Sequence, residues 1–507
     1  MKKRSMKTAV KIVAFIAAFS VVFSYVSFVF QPKAQDPTAE IKAMQQYYAL
    51  PKNKIEFLFL GNSQISCGAD AVRMYNRNGI FAYTFGGGSN PLLVNYYFLL
   101  EAIERHNIKA VTIDVSAVYN EDDPFDAAYR KNLDGMRLSK YKLAAVRDYI
   151  NFIKTPETEE YKPYQIYLSY LFNLLNYHPR WNELDEVDFD REMLDGEHFN
   201  GYYATEKCWE PDVSYKKFLI NTKQKLHKKY IREEQADYLI KILDTCKANH
   251  IEVLLIKTPK KSWEQPGHDY VQQLADEQGV PFMDFNTYEN LKAIGYVYKQ
   301  DMRDKDHLNA RGAIKLTDYI ADYFAQRVEF TDYRDSGVLD AEFLASYERA
   351  IKRCYLNSSH SPERYLTELK GKDYTITFQS DGDLSAEAFS AVQDELTELG
   401  LTVKLSDLKN RNYIAVLNNG KPEYEEASSD DLKYKLSILS KNDVSLKCTQ
   451  DGNTTWVFDT KYNFAQGGLR ICVFENATGE FISRVSIYEE NGKLLLKQKK
   501  IYEIGEV

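Results

Sequence analysis

The sequence lacks most of the features that mark a fold held by something other than a hydrophobic core. Its six cysteines, Cys67, Cys208, Cys246, Cys354, Cys448 and Cys472, are scattered, with no C-x-x-C pair and no metal-ligand spacing. No structural zinc site is therefore indicated. Disulfide pairing cannot be read from such spacing, and mostly buried single thiols are expected. There is no excess of positive charge: 65 Lys and Arg face 73 Asp and Glu, for a formal net charge of −8. That balance excludes non-specific nucleic-acid binding as the main role. Only one long apolar run exists, and a mean hydropathy of −0.47 excludes a polytopic membrane protein. The run Gly86-Gly87-Gly88 is followed by Ser89, Asn90 and Pro91. A G-x-G-x-x-G dinucleotide fingerprint needs glycine at 91 and is absent.

What remains is globular in composition, with 44% hydrophobic and 27% charged residues over 507 positions. That length fits about two or three domains. Aromatics make up 14%, including 38 Tyr, which suits extensive cores or sugar-binding surfaces.

The one apolar run is N-terminal. Lys2, Lys3, Arg4, Lys7 and Lys11 precede residues 12–30, 19 positions without charge, Pro or Gly. As a helix this run spans a hydrocarbon core of about 30 Å with its backbone satisfied internally. The basic flank orients the N-terminus inside and the rest outside. A cleaved signal peptide is the rival reading, but no small-residue cleavage site follows in FVFQPKAQD. The expectation is a single-pass signal anchor over 1–30 in the cell membrane, a polar stem over 31–50, and an extracytoplasmic remainder. Release of a lectin-like enzyme by cleavage is the alternative.

From Ile55 the pattern alternates. Apolar runs at 55–60, 81–85, 109–115, 251–259 and 280–285 read as buried strands. Helical spacing marks 91–106, 232–250, 270–279 and 310–327. This predicts an α/β domain over 51–330 with a parallel sheet. A Tyr-rich, strand-poor stretch at about 120–230 reads as a helical insertion. Its run 164–177 is the insertion's own core, a lid, or a docking face for a membrane partner. Residues 339–355 look helical, and 331–360 is a helical linker ending in LNSSHSPE. A separate α+β domain follows over 361–507: a strand at 374–380, a helix at 385–400, then strands including LTVKLS. Asn419-Gly420 and Thr478-Gly479 are turn signals.

Three loops carry candidate chemistry. Ser63, in Gly61-Asn62-Ser63-Gln64, follows the first strand, where ligands of open α/β sheets bind. On its own such a serine is usually a helix cap. Asp304 and His307 form a D-x-x-H unit before the last helix. A serine nucleophile needs a base, and the base needs a group that fixes its tautomer. The bland reading is a capping aspartate and a surface histidine. Gly86 and Asn90, after the second strand, offer amides to an oxyanion. The bland reading there is a tight strand-to-helix turn. Lys257, Lys260 and Lys261 follow the fourth strand on the same sheet edge, where they suit an anionic polymer or simply a solvated loop.

Together, these loops resemble the SGNH (GDSL-type) hydrolase superfamily over about 55–327, a flavodoxin-like three-layer fold. The likeness is greatest to the membrane-anchored extracellular branch with D-alanyl-lipoteichoic acid esterases and alginate acetylation proteins. It rests on GNSQ, YTFGGGSNPLLVNYYFLLEAI, KAVTIDVS, LLIKTP, FMDFN and DKDHLNARGAIKLTDYI. The resemblance implies Ser63 as nucleophile, His307 as base, Asp304 as its orienter and Gly86 as an oxyanion donor. Lys257, Lys260 and Asn309 are then candidate substrate-binding residues. The family's second oxyanion donor is an asparagine in a G-x-N-D block after the third strand. This chain reads Asp114-Val115-Ser116-Ala117 there, so the block is absent and Asn90 is the substitute candidate.

The function implied is an esterase or O-acyltransferase acting on a cell-surface glycan or polyol-phosphate polymer. No metal or other cofactor is called for, and a membrane-bound O-acyltransferase is a possible partner. The altered block motivates the alternative of a glycan-binding or scaffold protein with an idle site. Residues 370–492 resemble the interleukin-like EMT inducer domain, with Gly467-Gly468 matching its glycine pair, which implies carbohydrate binding or a spacer role.

Overall fold

A computed structural model describes residues 2–31, 38–120, 126–152, 162–184, 186–189, 198–209, 228–261, 263–380, 389–439, 442–449, 452–457, 460–463 and 468–498. The chain divides into two compact units. One is Met1–Thr205 with Trp209–Tyr347; the other is Glu206–Cys208 with Glu348–Val507. The division thus falls inside the predicted linker helix rather than after it.

The first unit is built on five parallel strands: β1 (Phe57–Leu60), β2 (Ala82–Phe85), β3 (Ala110–Asp114), β4 (Glu252–Lys257) and β5 (Phe282–Asp284). Their order is β2-β1-β3-β4-β5, that of a flavodoxin-like doubly wound sheet. All five strands lie within the runs expected from sequence. Each is nearly solid apolar because both faces are covered. Phe57, Phe59, Ala82, Ala110, Leu254 and Ile256 form one core with Met74, Leu316, Ile320 and Phe324. Those last four come from helices α4 (Ala71–Asn78) and α11 (Ala310–Ala325), as labelled here in chain order. The alternate residues Leu58, Leu60, Val111, Ile113 and Leu255 are equally buried and point to the opposite face. Other helices of this unit are α1 (Lys2–Phe30), α2 (Thr38–Ala49), α3 (Ser63–Gly68), α5 (Leu92–Arg105), α6 (Asp126–Leu133), α7 (Lys140–Phe152), α8 (Pro163–Leu171), α9 (Glu233–Ala248) and α10 (Gln265–Gln278), with shorter unlabelled ones at Leu174–Tyr177, Glu186–Phe189 and Tyr288–Ala293.

Within α1, Val10–Phe30 is long and apolar enough to cross a membrane. The expected stem is different in kind. Residues 32–37 lie outside the described residues, but Thr38–Ala49 is a helix. Ile41, Met44 and Tyr48 recur at helical spacing and are buried. Tyr47 packs on Tyr83 and Phe98, with ring centroids 5.1 and 4.8 Å apart. Arg105 donates to the carbonyls of Tyr48 and Leu50, both at 3.0 Å, and so closes the helix end. Burial of these aromatics outweighs the polar composition that suggested a free stem.

Most of the described part of the insertion is helical, as expected. Its stretches 121–125, 153–161, 190–197 and 210–227 lie outside the described residues. It also contributes a small hairpin, His198–Phe199 against Tyr202–Tyr203. The hairpin turn meets β2: the Thr84 N–H donates to the Asn200 carbonyl at 2.9 Å.

The second unit contains a six-stranded antiparallel sheet and a four-stranded one. The strands are β6 (Tyr374–Ser380), β7 (Asn412–Asn418), β8 (Lys421–Ser428), β9 (Leu432–Ile438), β10 (Asn442–Thr449), β11 (Gly452–Val457), β12 (Thr460–Asn463), β13 (Leu469–Glu475), β14 (Phe481–Glu490) and β15 (Lys493–Gln498). The orders are β8-β7-β6-β13-β14-β15 and β9-β10-β11-β12. Period-two alternation splits the larger sheet between two cores. Tyr413, Ala415, Leu417, Ile471 and Val473 face Leu366, Leu396 and Leu399 from short helices. Ile414, Val416, Cys472 and Phe474 face Val444, Leu446 and Val457 of the smaller sheet.

Asn419-Gly420 turns β7 into β8 with φ of 48° and 71°, as expected for a two-residue hairpin loop. Two expectations are corrected. LTVKLS is not a strand: Leu405–Leu408 is a 3-10 turn that puts Leu405 and Leu408 into the core. The helix expected at 385–400 is, within the described residues, a 3-10 turn at Ser390–Val392 followed by Gln393–Leu399. Gly467 lies outside the described residues.

Gly201 is where the insertion meets the sheet most tightly. Its φ is +83°, and a β-carbon there would lie 1.8 Å from the Thr84 carbonyl oxygen. Gly279 has φ +66° with nothing within 4 Å. Gly201→Ala is expected to destabilise the detergent-solubilised chain by about 3 kcal/mol, and Gly279→Ala by about 1 kcal/mol. Denaturant midpoints of the two variants measure the difference; equal shifts would refute close packing at Gly201.

Candidate active site

The sheet order reverses between β1 and β3, and the candidate residues gather at that end. Gly61 ends β1 and its backbone is held on both sides. Its N–H donates to the Phe85 carbonyl at 3.2 Å and to Asn95 Oδ1 at 3.1 Å. Its carbonyl accepts from Asn90 Nδ2 at 3.0 Å and Asn95 Nδ2 at 3.2 Å. A β-carbon on Gly61 would meet Ile65 at 2.7 Å; one on Gly86 would meet the Asn62 carbonyl at 2.5 Å. Two loop backbones therefore lie in contact. Asn62 caps α3 by accepting the Gln64 N–H at 3.0 Å. Ser63 opens that helix, so its own N–H has no intrahelical acceptor.

Ser63 Oγ lies 2.8 Å from His307 Nε2. On the other side of the ring, His307 Nδ1 is 2.9 and 3.1 Å from the two Asp304 oxygens. Asp304 Oδ1 also accepts the N–H groups of Asp306 and His307, at 2.8 and 3.0 Å. One carboxylate thus shapes the turn and orients the ring. An acceptor at Nδ1 assigns the proton there and leaves Nε2 to accept from Ser63. Burial pushes Asp304 up, but the His307 hydrogen bond, the His307 charge, the Asp306 amide and Arg303 outweigh it and hold the carboxyl at about 2.

Beneath Ser63 lies a buried polar layer. Gln64 Oε1 accepts from Lys257 Nζ at 2.6 Å, Ser116 Oγ at 2.7 Å and Thr258 Oγ1 at 2.7 Å. Asp114 accepts the N–H groups of Thr258 and Ser116, both at 2.9 Å, and shares with Gln64 Oε1 the single proton of each hydroxyl, Thr258 Oγ1 at 3.0 Å and Ser116 Oγ. Lysine can only donate, so the oxygen of Gln64 must face Lys257, and Nε2 turns the other way. Nε2 has no hydrogen-bond partner among the described residues. Sequence reasoning gave Gln64, Asp114 and Thr258 no site role. The available signal was polar residues at or just beyond the carboxyl ends of buried strands.

Ser63, His307, Asp304 and Gly86 thus converge, and Lys260 lies at their rim. Lys260 Nζ is 3.8 Å from Asp306, and its N–H is held by Asn286 Oδ1 at 2.8 Å. Three expectations change. Lys257 is fully buried beneath Gln64 and presents no surface to a polymer. Asn309 is buried and caps α11, accepting from Arg311 and Gly312 at 3.0 and 3.2 Å, so it is not a substrate contact. Asn90 spends its side-chain amide on the Gly61 carbonyl and holds the turn. Five of the six cysteines are buried. Among the described residues, no group of three His, Cys, Asp or Glu is placed to hold a metal ion.

No protein-family model matches the chain, and no curated protein matches it. Among solved structures, a Bacteroides fragilis protein described as a "putative acylhydrolase" aligns with 13% identity and a TM-score of 0.26, covering 56% of this chain and 93% of that one. A TM-score at that level assigns neither fold nor activity.

Burial disfavours the charge of Lys257 more than Asp114 favours it, and lowers it from 10.5 to about 8. The unfolded chain then binds the proton more strongly between those values, so stability rises with pH across that window. Lys257→Met removes this dependence. Unfolding free energies at pH 7.5 and 10 should diverge more for the parent than for the variant. Parallel pH profiles would contradict a charged, buried Lys257.

Proposed function

We propose that the chain is a membrane-anchored, extracytoplasmic serine esterase or O-acyltransferase of the SGNH type. One observation carries this reading: the unbroken chain of contacts from Ser63 Oγ through the His307 ring to Asp304. Ser63 Oγ attacks the ester carbonyl while His307 Nε2 takes its proton. Asp304, ionised across the range in which histidine titrates, stabilises the imidazolium. The tetrahedral oxyanion is met by the N–H groups of Ser63 and Gly86. His307 returns the proton to the departing alcohol as the intermediate collapses. The acyl-Ser63 ester then passes to water or to a sugar or polyol hydroxyl.

A third oxyanion donor is Gln64 Nε2. Its oxygen bonds Ser116, which stands where the resembling family carries its oxyanion asparagine. Lys257 fixes the amide's orientation, which supports a donor held ready before charge develops. Acyl groups on a cell-envelope glycan or polyol-phosphate polymer are the proposed substrate class. Arg303, Lys260, Lys261 and Lys305 around the histidine loop support an anionic chain. Lys261 N–H donates to the Lys305 carbonyl at 3.0 Å, which joins the two loops. A membrane-bound O-acyltransferase as partner, and glycan binding by 361–507, rest on sequence resemblance alone.

A fluorophosphonate probe should label the full chain, and Ser63→Ala should abolish both labelling and ester cleavage. Equal labelling of both would remove Ser63 as the activated nucleophile. Gln64→Leu should lower kcat by about 10²-fold with little change in KM, the usual effect of losing one oxyanion donor. An unchanged kcat would leave the oxyanion to backbone amides alone.

A further inference from the structure

We propose that residues 163–182 of the insertion sit within the outer leaflet of the bilayer that α1 crosses, with lipid acyl chains against their exposed face. This rests on the anchor reading of α1 and adds a second membrane contact to it.

The first observation is the character of the segment. No Asp, Glu, Lys or Arg occurs from Pro163 to Pro179. Four of its polar side chains, Ser169, Tyr170, Asn173 and Tyr177, are engaged internally. Tyr170 Oη donates to Asp126 at 2.7 Å, Tyr177 Oη to Asp134 at 2.7 Å, and Arg130 donates to Ser169 at 2.7 Å. Asn173 donates to the Asp134 carbonyl at 3.4 Å. The opposite face carries Tyr164, Leu168, Phe172 and Leu175, exposed by 58%, 38%, 43% and 53% at helical spacing, with Trp181 at 72%. The segment, two short helices and a 3-10 turn, is polar toward its own protein and, Gln165, His178 and Asn182 apart, apolar toward the outside, which suits lipid rather than water.

The second observation is what this segment touches. Phe15, Phe19 and Phe23 stack along α1 at centroid distances of 6.3 and 5.8 Å. Phe172 continues that ladder, edge-on to Phe23 at 5.9 Å. Phe23 precedes the last helical residue, Phe30, by a rise of about 10 Å. The half-thickness of a hydrocarbon core is about 15 Å. If Phe30 marks the outer boundary, whatever packs on Phe23 must lie below it. Arg180 fits that boundary. It donates to the Phe30 carbonyl at 2.7 Å, satisfying one of the open acceptors at the helix end, and pairs with Asp188 at 3.1 Å. Trp181 beside it lies at the level where aromatic residues gather. The segment's helical turns keep backbone groups bonded within hydrocarbon. The two contacts together hold the serine site at a fixed height over the membrane.

The test places an environment-sensitive fluorophore on Leu168→Cys and Leu175→Cys of the full chain, with Val21→Cys inside α1 and the exposed Tyr288→Cys as references. The unsubstituted chain gives the background from its own cysteines. Each is reconstituted in phosphatidylcholine vesicles carrying doxyl-labelled acyl chains, and quenching by doxyl is compared with quenching by aqueous iodide. Positions 168 and 175 should follow position 21, with iodide quenching about tenfold below that at 288. If 168 and 175 follow 288 while 21 stays lipid-quenched, the proposal fails and the anchor stands. If 21 is also open to iodide, the anchor reading fails and takes the proposal with it. Shielding of 168 and 175 from both quenchers would mean that a protein covers the face, and would overturn the lipid assignment.

Discussion

The site depends on one buried contact, the ammonium of Lys257 against the side-chain oxygen of Gln64. An uncompensated charge among the ends of β1, β3 and β4 would be costly. Lys257 is compensated by Gln64, by the Thr258 carbonyl and by the nearby charge of Asp114. Asp114 in turn is saturated by Thr258 and Ser116. Each group removes the penalty of the next, and the network as a whole fixes Gln64, the residue beside Ser63. Specificity of arrangement, rather than net stability, is what such a layer supplies.

Above that layer, positions are set by backbone contact. The close approaches at Gly61 and Gly86 press the first two loops together, and Asn95 and Asn90 clamp the Gly61 peptide. The histidine loop is shaped by its own aspartate. Asp301 supports its far end: its carbonyl accepts from the Asn309 N–H at 3.0 Å, and its side chain pairs with Lys315 at 2.7 Å. Ser63, His307 and Asp304 therefore stand on short, cross-braced turns at the mouth of the sheet, an arrangement suited to prepaid orientation.

Much of this was legible in the residues. Mainly apolar runs marked the five strands of the sheet, because a parallel sheet buried on both faces leaves few polar positions to confuse the reading. The meeting of Ser63 with the D-x-x-H unit was foreseeable because few residue types can form such a hydrogen-bonded chain. What was missed was decided by tertiary context. The stem reads as polar, yet Tyr47 and Tyr48 find a core to enter. Lys257 and Asn309 look like edge residues until the sheet and the last helix close over them. LTVKLS has strand alternation, but two leucines three apart fill a gap better as a tight turn. Asn491-Gly492, with φ of 53° and 74°, turns β14 into a final strand by the same signal as Asn419-Gly420.

The meeting of the 198–203 hairpin with β2 bears on how the protein behaves among its own copies. An outer strand offers unpaired N–H and C=O groups that can template another chain. Here β2 is one outer strand, and Asn200 and Gly201 occupy its open side at Thr84. The other outer strand, β5, is only three residues long. Among the described residues the sheet thus presents no long free edge for a neighbour to extend.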